Sequence, residues 1–97
     1  MKTVLGDYGF RKGFDWDTRF DLKTTVDNYL VSTVDLGINH SFDDIPLYYE
    51  TMIFKIKDGE VDFTDVYCER YTTEEEAREG HQRAIIYVKD ELEREEE

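Results

Sequence analysis

Ninety-seven residues with 39% hydrophobic and 14% aromatic side chains suffice for one modest core, in a size class that buries roughly two-thirds of its surface on folding. Twenty-four acids against 12 bases give a formal net charge of −12 at pH 7, which argues against direct binding to nucleic acid or to anionic membranes, since both need clustered lysine and arginine. The lone Cys68 excludes an intrachain disulfide and a cysteine metal site, and no apolar run approaches the ~18 residues of a membrane span.

Along the chain, residues 1–24 read as an irregular, aromatic-rich segment. Gly6, Gly9 and Gly13 interrupt any long element, Tyr8, Phe10, Phe14, Trp16 and Phe20 are scattered between charges, and only a short strand over 2–10 is suggested. Residues 25–36 read as one central strand, because Val26, Tyr29, Val31, Thr33 and Val34 are β-formers and both faces are fairly apolar. Gly37-Ile38-Asn39 ends it, and 38–46 form a polar loop closed by Pro46, the only proline.

A further strand over 47–57 leads to Asp58-Gly59, a two-residue hairpin signal, and 60–71 return antiparallel. On that return strand strict alternation puts Val61, Phe63, Asp65, Tyr67, Glu69 and Tyr71 on one face. Thr73-Glu74-Glu75-Glu76 is a capping box, and three successive glutamates suit the positive end of a helix dipole. Ala77, His81, Ala84, Ile85, Val88 and Leu92 then make an apolar helical stripe, before a charged, frayed tail over 93–97. The expected fold is α+β: a single domain over 1–97 in which an antiparallel sheet of three to four strands packs against one C-terminal helix.

Six residues stand out as candidates for binding or chemistry. His81 lies on the apolar stripe, where an imidazole needs a partner for each ring nitrogen, and Gly80 before it would let the sheet or a ligand approach closely. His40 sits in the polar loop near Asp43 and Asp44, a grouping that could bind a metal or move a proton. Two histidines without a paired spacing give no metal assignment, however, and no cofactor is implied. Glu50 shares a strand face with Tyr48, Met52 and Phe54, so it is either paired or functional. Arg70 is its plausible partner, although counting back from the 58–59 turn sets residue 50 opposite residue 67. Trp16 and Arg19 could together clamp a planar or phosphorylated ligand. No phosphate loop, nucleophile elbow or Cys-His pair is recognisable, so no catalytic residue is assigned.

Three segments taken together resemble a group of small uncharacterised proteins of tailed phages and prophages. They are Val31-Ser32-Thr33-Val34-Asp35-Leu36-Gly37 leading to His40, Pro46 through Phe54, and Glu69 through Ala77 leading to Gly80-His81. The resemblance covers roughly residues 16–88 and leaves out the acidic C-terminal extension. It implies phage origin and an accessory role in the host cytoplasm, and no particular activity.

The leading expectation is therefore a non-enzymatic binding module that covers a basic surface of a host protein, motivated by the charge. One alternative is a pocket between helix and sheet that sequesters a nucleotide-like ligand, built from Trp16, Arg19, His40, Glu50, Arg70 and His81. Another is a small hydrolase using His40 or His81 with Glu50. An assembly part of the virion is a blander fourth. The N-terminus shows no signal-peptide core, which with the single cysteine suggests a cytoplasmic setting.

Overall fold

The computed structural model describes residues 11–39 and 45–95. Four strands form one antiparallel meander: β1 (Asp21–Val26), β2 (Tyr29–Asp35), β3 (Tyr49–Lys57) and β4 (Glu60–Tyr71). The helix α1 (Glu74–Tyr87) packs on one face of this sheet and continues through a π-helical turn, Val88–Leu92, into a last turn at Glu93–Glu95. The architecture is the expected α+β one, with four strands. Among the described residues no helix is long and apolar enough to cross a membrane.

The first strand departs from the sequence reading, which leaves 21–24 irregular and runs a single strand over 25–36. The chain instead reverses at Asp27-Asn28, where Asp27 has φ 50° and Val26 pairs directly with Tyr29. Asp and Asn tolerate such backbone. The β-formers Thr24, Thr25, Val26 and Tyr29 on either side carry strand propensity across the turn and hide it. At Asp58-Gly59 the expected hairpin forms, with φ of 53° and 79° at the two central residues, as a type I′ turn requires. The strand suggested over 2–10 lies outside the described residues.

The pairing of β3 with β4 holds the second departure. Lys57 faces Glu60, Ile56 faces Val61 and Lys55 faces Asp62, but Phe54 then faces Asp65 and Ile53 faces Tyr67. Phe63, Thr64 and Val66 are left without partners on β3. These two bulges break the alternation on which the single-face reading of β4 depended. Tyr67, Glu69 and Tyr71 lie across from Ile53, Thr51 and Tyr49 on the helix side. Phe63 packs edge-on against Phe54, on the other side, at 5.3 Å between ring centroids.

The core is the layer between sheet and helix. Val26, Tyr29, Val31 and Ile53 meet Ala84, Val88 and Leu92 in one cluster, flanked by Tyr67, Ile85 and Tyr87. Tyr49, Tyr71 and Ala77 form a second, against Phe20 and Tyr48. Both halves of the capping box are made: Glu76 N donates to Thr73 Oγ1 at 3.1 Å, and Thr73 N donates to Glu76 Oε1 at 3.0 Å. The box orients α1 so that Ala77, Gly80, His81 and Ala84 face the strands.

Candidate functional site

A chain of hydrogen bonds runs through the middle of the core. His81 is 2% exposed, and α1 points its ring between β1 and β2. Its Nε2 lies 2.8 Å from Thr24 Oγ1 and its Nδ1 lies 2.7 Å from Thr33 Oγ1. Thr33 Oγ1 is in turn 2.6 Å from Thr51 Oγ1, and Thr51 is the polar side chain next to the Tyr71 hydroxyl. Tyr71 donates to Glu69 Oε1 at 2.7 Å, and Arg83 on α1 donates to the same oxygen at 3.0 Å. The register makes this possible, since Thr24 stands next to Val31, Thr33 opposite Thr51, and Thr51 opposite Glu69.

The Glu69 end of this arrangement has a fixed direction. An ionised carboxylate only accepts, so Tyr71 must donate to Glu69. A neutral imidazole has one N–H, so His81 donates to one of Thr24 and Thr33 and accepts from the other. Burial, and then the nearby charge of Lys23, lower the His81 pKa, so the neutral tautomer is the stable one. Burial raises the Glu69 pKa, but hydrogen bonds from Tyr71 and Arg83 outweigh it and hold the carboxyl below its usual value. Burial is also the main reason that the Tyr71 hydroxyl is held well above its usual pKa. Every group of the chain is kept in its resting protonation state.

Gly80 belongs to the same arrangement. A Cβ placed on it would fall 2.1 Å from Tyr71 Oη and 2.2 Å from Tyr71 Cζ. The glycine opens room for a sheet tyrosine, one of the two occupants that its place on the helix suggested.

Glu50 and Arg70 sit on the opposite face of the sheet from His81. They face each other directly, because the two bulges add three residues to β4 and move Arg70 into the place that simple counting gave to residue 67. Arg70 Nε donates to Glu50 Oε2 at 2.8 Å, with the Glu50 side chain 9% and the Arg70 side chain 38% exposed. Cys68 Sγ lies 3.5 Å from the same oxygen. Cys68 is exposed, but desolvation against the sheet and the Glu50 carboxylate beside it push the thiol up to about 11, so it is protonated near neutral pH.

Trp16 and Arg19 come together at the end of the sheet, with the guanidinium 4.8 Å from the indole ring centre. Arg19 borders a cleft of about 170 Å³, lined also by Arg11, Phe14, Thr18, Phe20, Asp35, Tyr49 and Glu74. Arg11 forms one wall. It grips Asp35 with two hydrogen bonds, 2.9 and 2.5 Å, over the rings of Tyr48 and Tyr49. Asp35 also accepts from Gly37 N at 2.8 Å. The Arg11–Asp35 clamp has no signature in the sequence, because nothing in the spacing of 24 residues signals it.

The candidates therefore do not meet in one pocket. Arg19 lines the cleft with Trp16 against its guanidinium, Glu50 and Arg70 are on the sheet face away from the helix, and His81 is sealed in the core. His40, with Asp43 and Asp44, lies outside the described residues. The space between helix and sheet, expected to hold a ligand in one reading, is filled by side chains: Val31, Ile53, Ala77, Ala84 and Val88 are all 0% exposed. His81 and Glu50, paired in the hydrolase reading, are on opposite faces of the sheet, and the partners of His81 are hydroxyls rather than a carboxylate. Among the described residues no group of three or more His, Cys, Asp or Glu side chains is placed to hold a metal ion. No family model matches the chain, and neither the curated proteins nor the solved structures hold a significant match to it.

Proposed function

We propose that the protein is a non-enzymatic binding module that presents an acidic surface to a basic surface of a protein partner. One contrast carries this reading. The ionisable groups that the fold buries are consumed within it: His81 by Thr24 and Thr33, Glu50 by Arg70, and Asp35 by Arg11. The acids that remain exposed are distributed over the outside, with Glu75, Glu79, Asp90 and Glu91 on the helical segment and Asp58, Glu60, Asp62 and Asp65 on the β3–β4 hairpin. Ten of the 24 acids lie from Glu74 onward. Such a field steers basic partners toward the surface and repels nucleic acid. The resemblance to small phage proteins makes a host protein in the bacterial cytoplasm the natural partner, and masking of its basic surface the natural consequence.

The ligand-pocket reading is weaker on magnitude. The cleft of about 170 Å³ falls below the roughly 300–1,000 Å³ usual for small-molecule sites, and the hollow of about 330 Å³ that reaches this range is a shallow one on the helix surface, beside Arg83, Ile86, Tyr87, Asp90 and Glu91. With Arg11 paired to Asp35, Asp15 and Glu74 on the cleft wall outnumber Arg19 and would also oppose a phosphate.

Immobilised full-length protein tests the proposal. Bacterial lysate is applied at low salt and the column is developed with a salt gradient. Basic proteins should be retained and released as salt rises. Retention of acidic and basic proteins alike, or of none, would refute the reading.

A further inference from the structure

We propose that the bulged stretch Asp62–Val66 of β4 is the docking point of this module, and that it fits a protein surface carrying lysines or arginines round an apolar pocket. The inference deepens the acidic-module reading and rests on it. Three residues of β4 have no partner on β3: Phe63, Thr64 and Val66. Two of these three are large hydrophobics that the bulges leave in the open, Phe63 at 75% and Val66 at 45% exposure. A bulge re-aims side chains, and here it turns apolar ones outward on a sheet edge, where charge is the usual protection.

The patch is also held in shape. Asp62 Oδ1 accepts from Thr64 N at 3.0 Å, which fixes the loop of the first bulge. The Phe63 ring rests edge-on against Phe54 at an interplanar angle of 65°. An aromatic side chain that is already positioned loses little freedom on binding and is the commonest kind of energetic anchor in protein interfaces.

Charge and geometry choose the occupant. Between residues 55 and 66 the hairpin carries Asp58, Glu60, Asp62 and Asp65 against Lys55 and Lys57. A second copy of the chain would bring another −12 to the contact. A strand added along this part of β4 would meet an edge that two bulges kink. A basic partner with an apolar pocket satisfies both the rim and the ring at its centre.

Two synthetic peptides of equal length and charge test this, one alternating lysine with leucine and one alternating lysine with serine. Each is titrated at low salt into the full-length protein with backbone amide NMR as the readout. The lysine–leucine peptide should bind about tenfold more tightly, the gain expected from burying one aromatic side chain, with the largest shifts at Phe63, Thr64 and Val66. Phe63→Ala should remove that gain and leave the lysine–serine affinity unchanged. Val66→Ser should reduce it, and Glu75→Gln with Glu79→Gln on α1 should not. If both peptides bind equally, if Phe63→Ala leaves the gain intact, or if the shifts fall on α1, the docking point is wrong while the acidic module survives. If neither peptide binds at low salt, both readings fall.

Discussion

Gly80→Ala separates the packing account from simple helix propensity, because the two predict opposite signs. In an exposed helix interior the change should stabilise by about 1 kcal/mol. At Gly80 the new methyl would stand 2.1 Å from Tyr71 Oη, 2.2 Å from Cζ and 2.4 Å from Cε1. The ring cannot swing aside cheaply, since Tyr71 is 5% exposed and its hydroxyl is tied to Glu69 at 2.7 Å. Lifting α1 away from the sheet costs about 1–3 kcal/mol by overpacking. Expelling the ring loses a charge-assisted hydrogen bond of about 1.5–3 kcal/mol and aromatic burial besides. The cheaper route sets the cost, and after the propensity gain is subtracted a net loss of about 1 kcal/mol is expected. Urea denaturation followed by circular dichroism measures it. In a Tyr71→Ala background the obstacle is gone, and Gly80→Ala should become neutral or stabilising by about 1 kcal/mol. Stabilisation by Gly80→Ala in the otherwise unchanged protein would refute the packing account.

Three further predictions concern the ionisable groups. The folded-state pKa of His81 lies below its unfolded value of about 6.5, so its contribution to stability is complete above that pH and is lost as the pH falls toward the folded value, with a slope of up to about 1.4 kcal/mol per pH unit. Thermal unfolding from about pH 7.5 to about pH 5.5 in a His40→Gln background should show this decline, and adding His81→Gln should flatten it. Removing the cation by Arg70→Met leaves Glu50 with a 9% exposed side chain and should cost about 1–3 kcal/mol, below the range for fully buried pairs because Arg70 is 38% exposed. Glu50→Gln combined with Arg70→Met should recover most of that loss in chemical denaturation. Cys68, with its thiol pushed up to about 11, should alkylate slowly at neutral pH and faster as the pH is raised.

How much of this was legible follows from the range of each signal. The α1 cap is written in four consecutive residues, and the Asp58-Gly59 turn in two, so local chemistry alone specifies them. The Asp27-Asn28 turn is equally local but sits between β-formers, which mask it. His81 stands out because it interrupts an apolar stripe, yet its partners Thr24 and Thr33, and Thr51 bonded to Thr33, are ordinary strand threonines whose convergence depends on pairing register. Register is also why Arg70 faces Glu50: the bulges at Phe63–Thr64 and Val66 shift the count, and no residue type there announces them. The same bulges scattered the expected single face of β4 and produced the exposed Phe63.

The affinity of a retained basic partner for the full-length protein, measured across a series of salt concentrations, addresses the claim of an acidic binding surface most directly. The account predicts an affinity that falls steeply as salt screens the exposed carboxylates. An affinity that stays flat from low to high salt would contradict it.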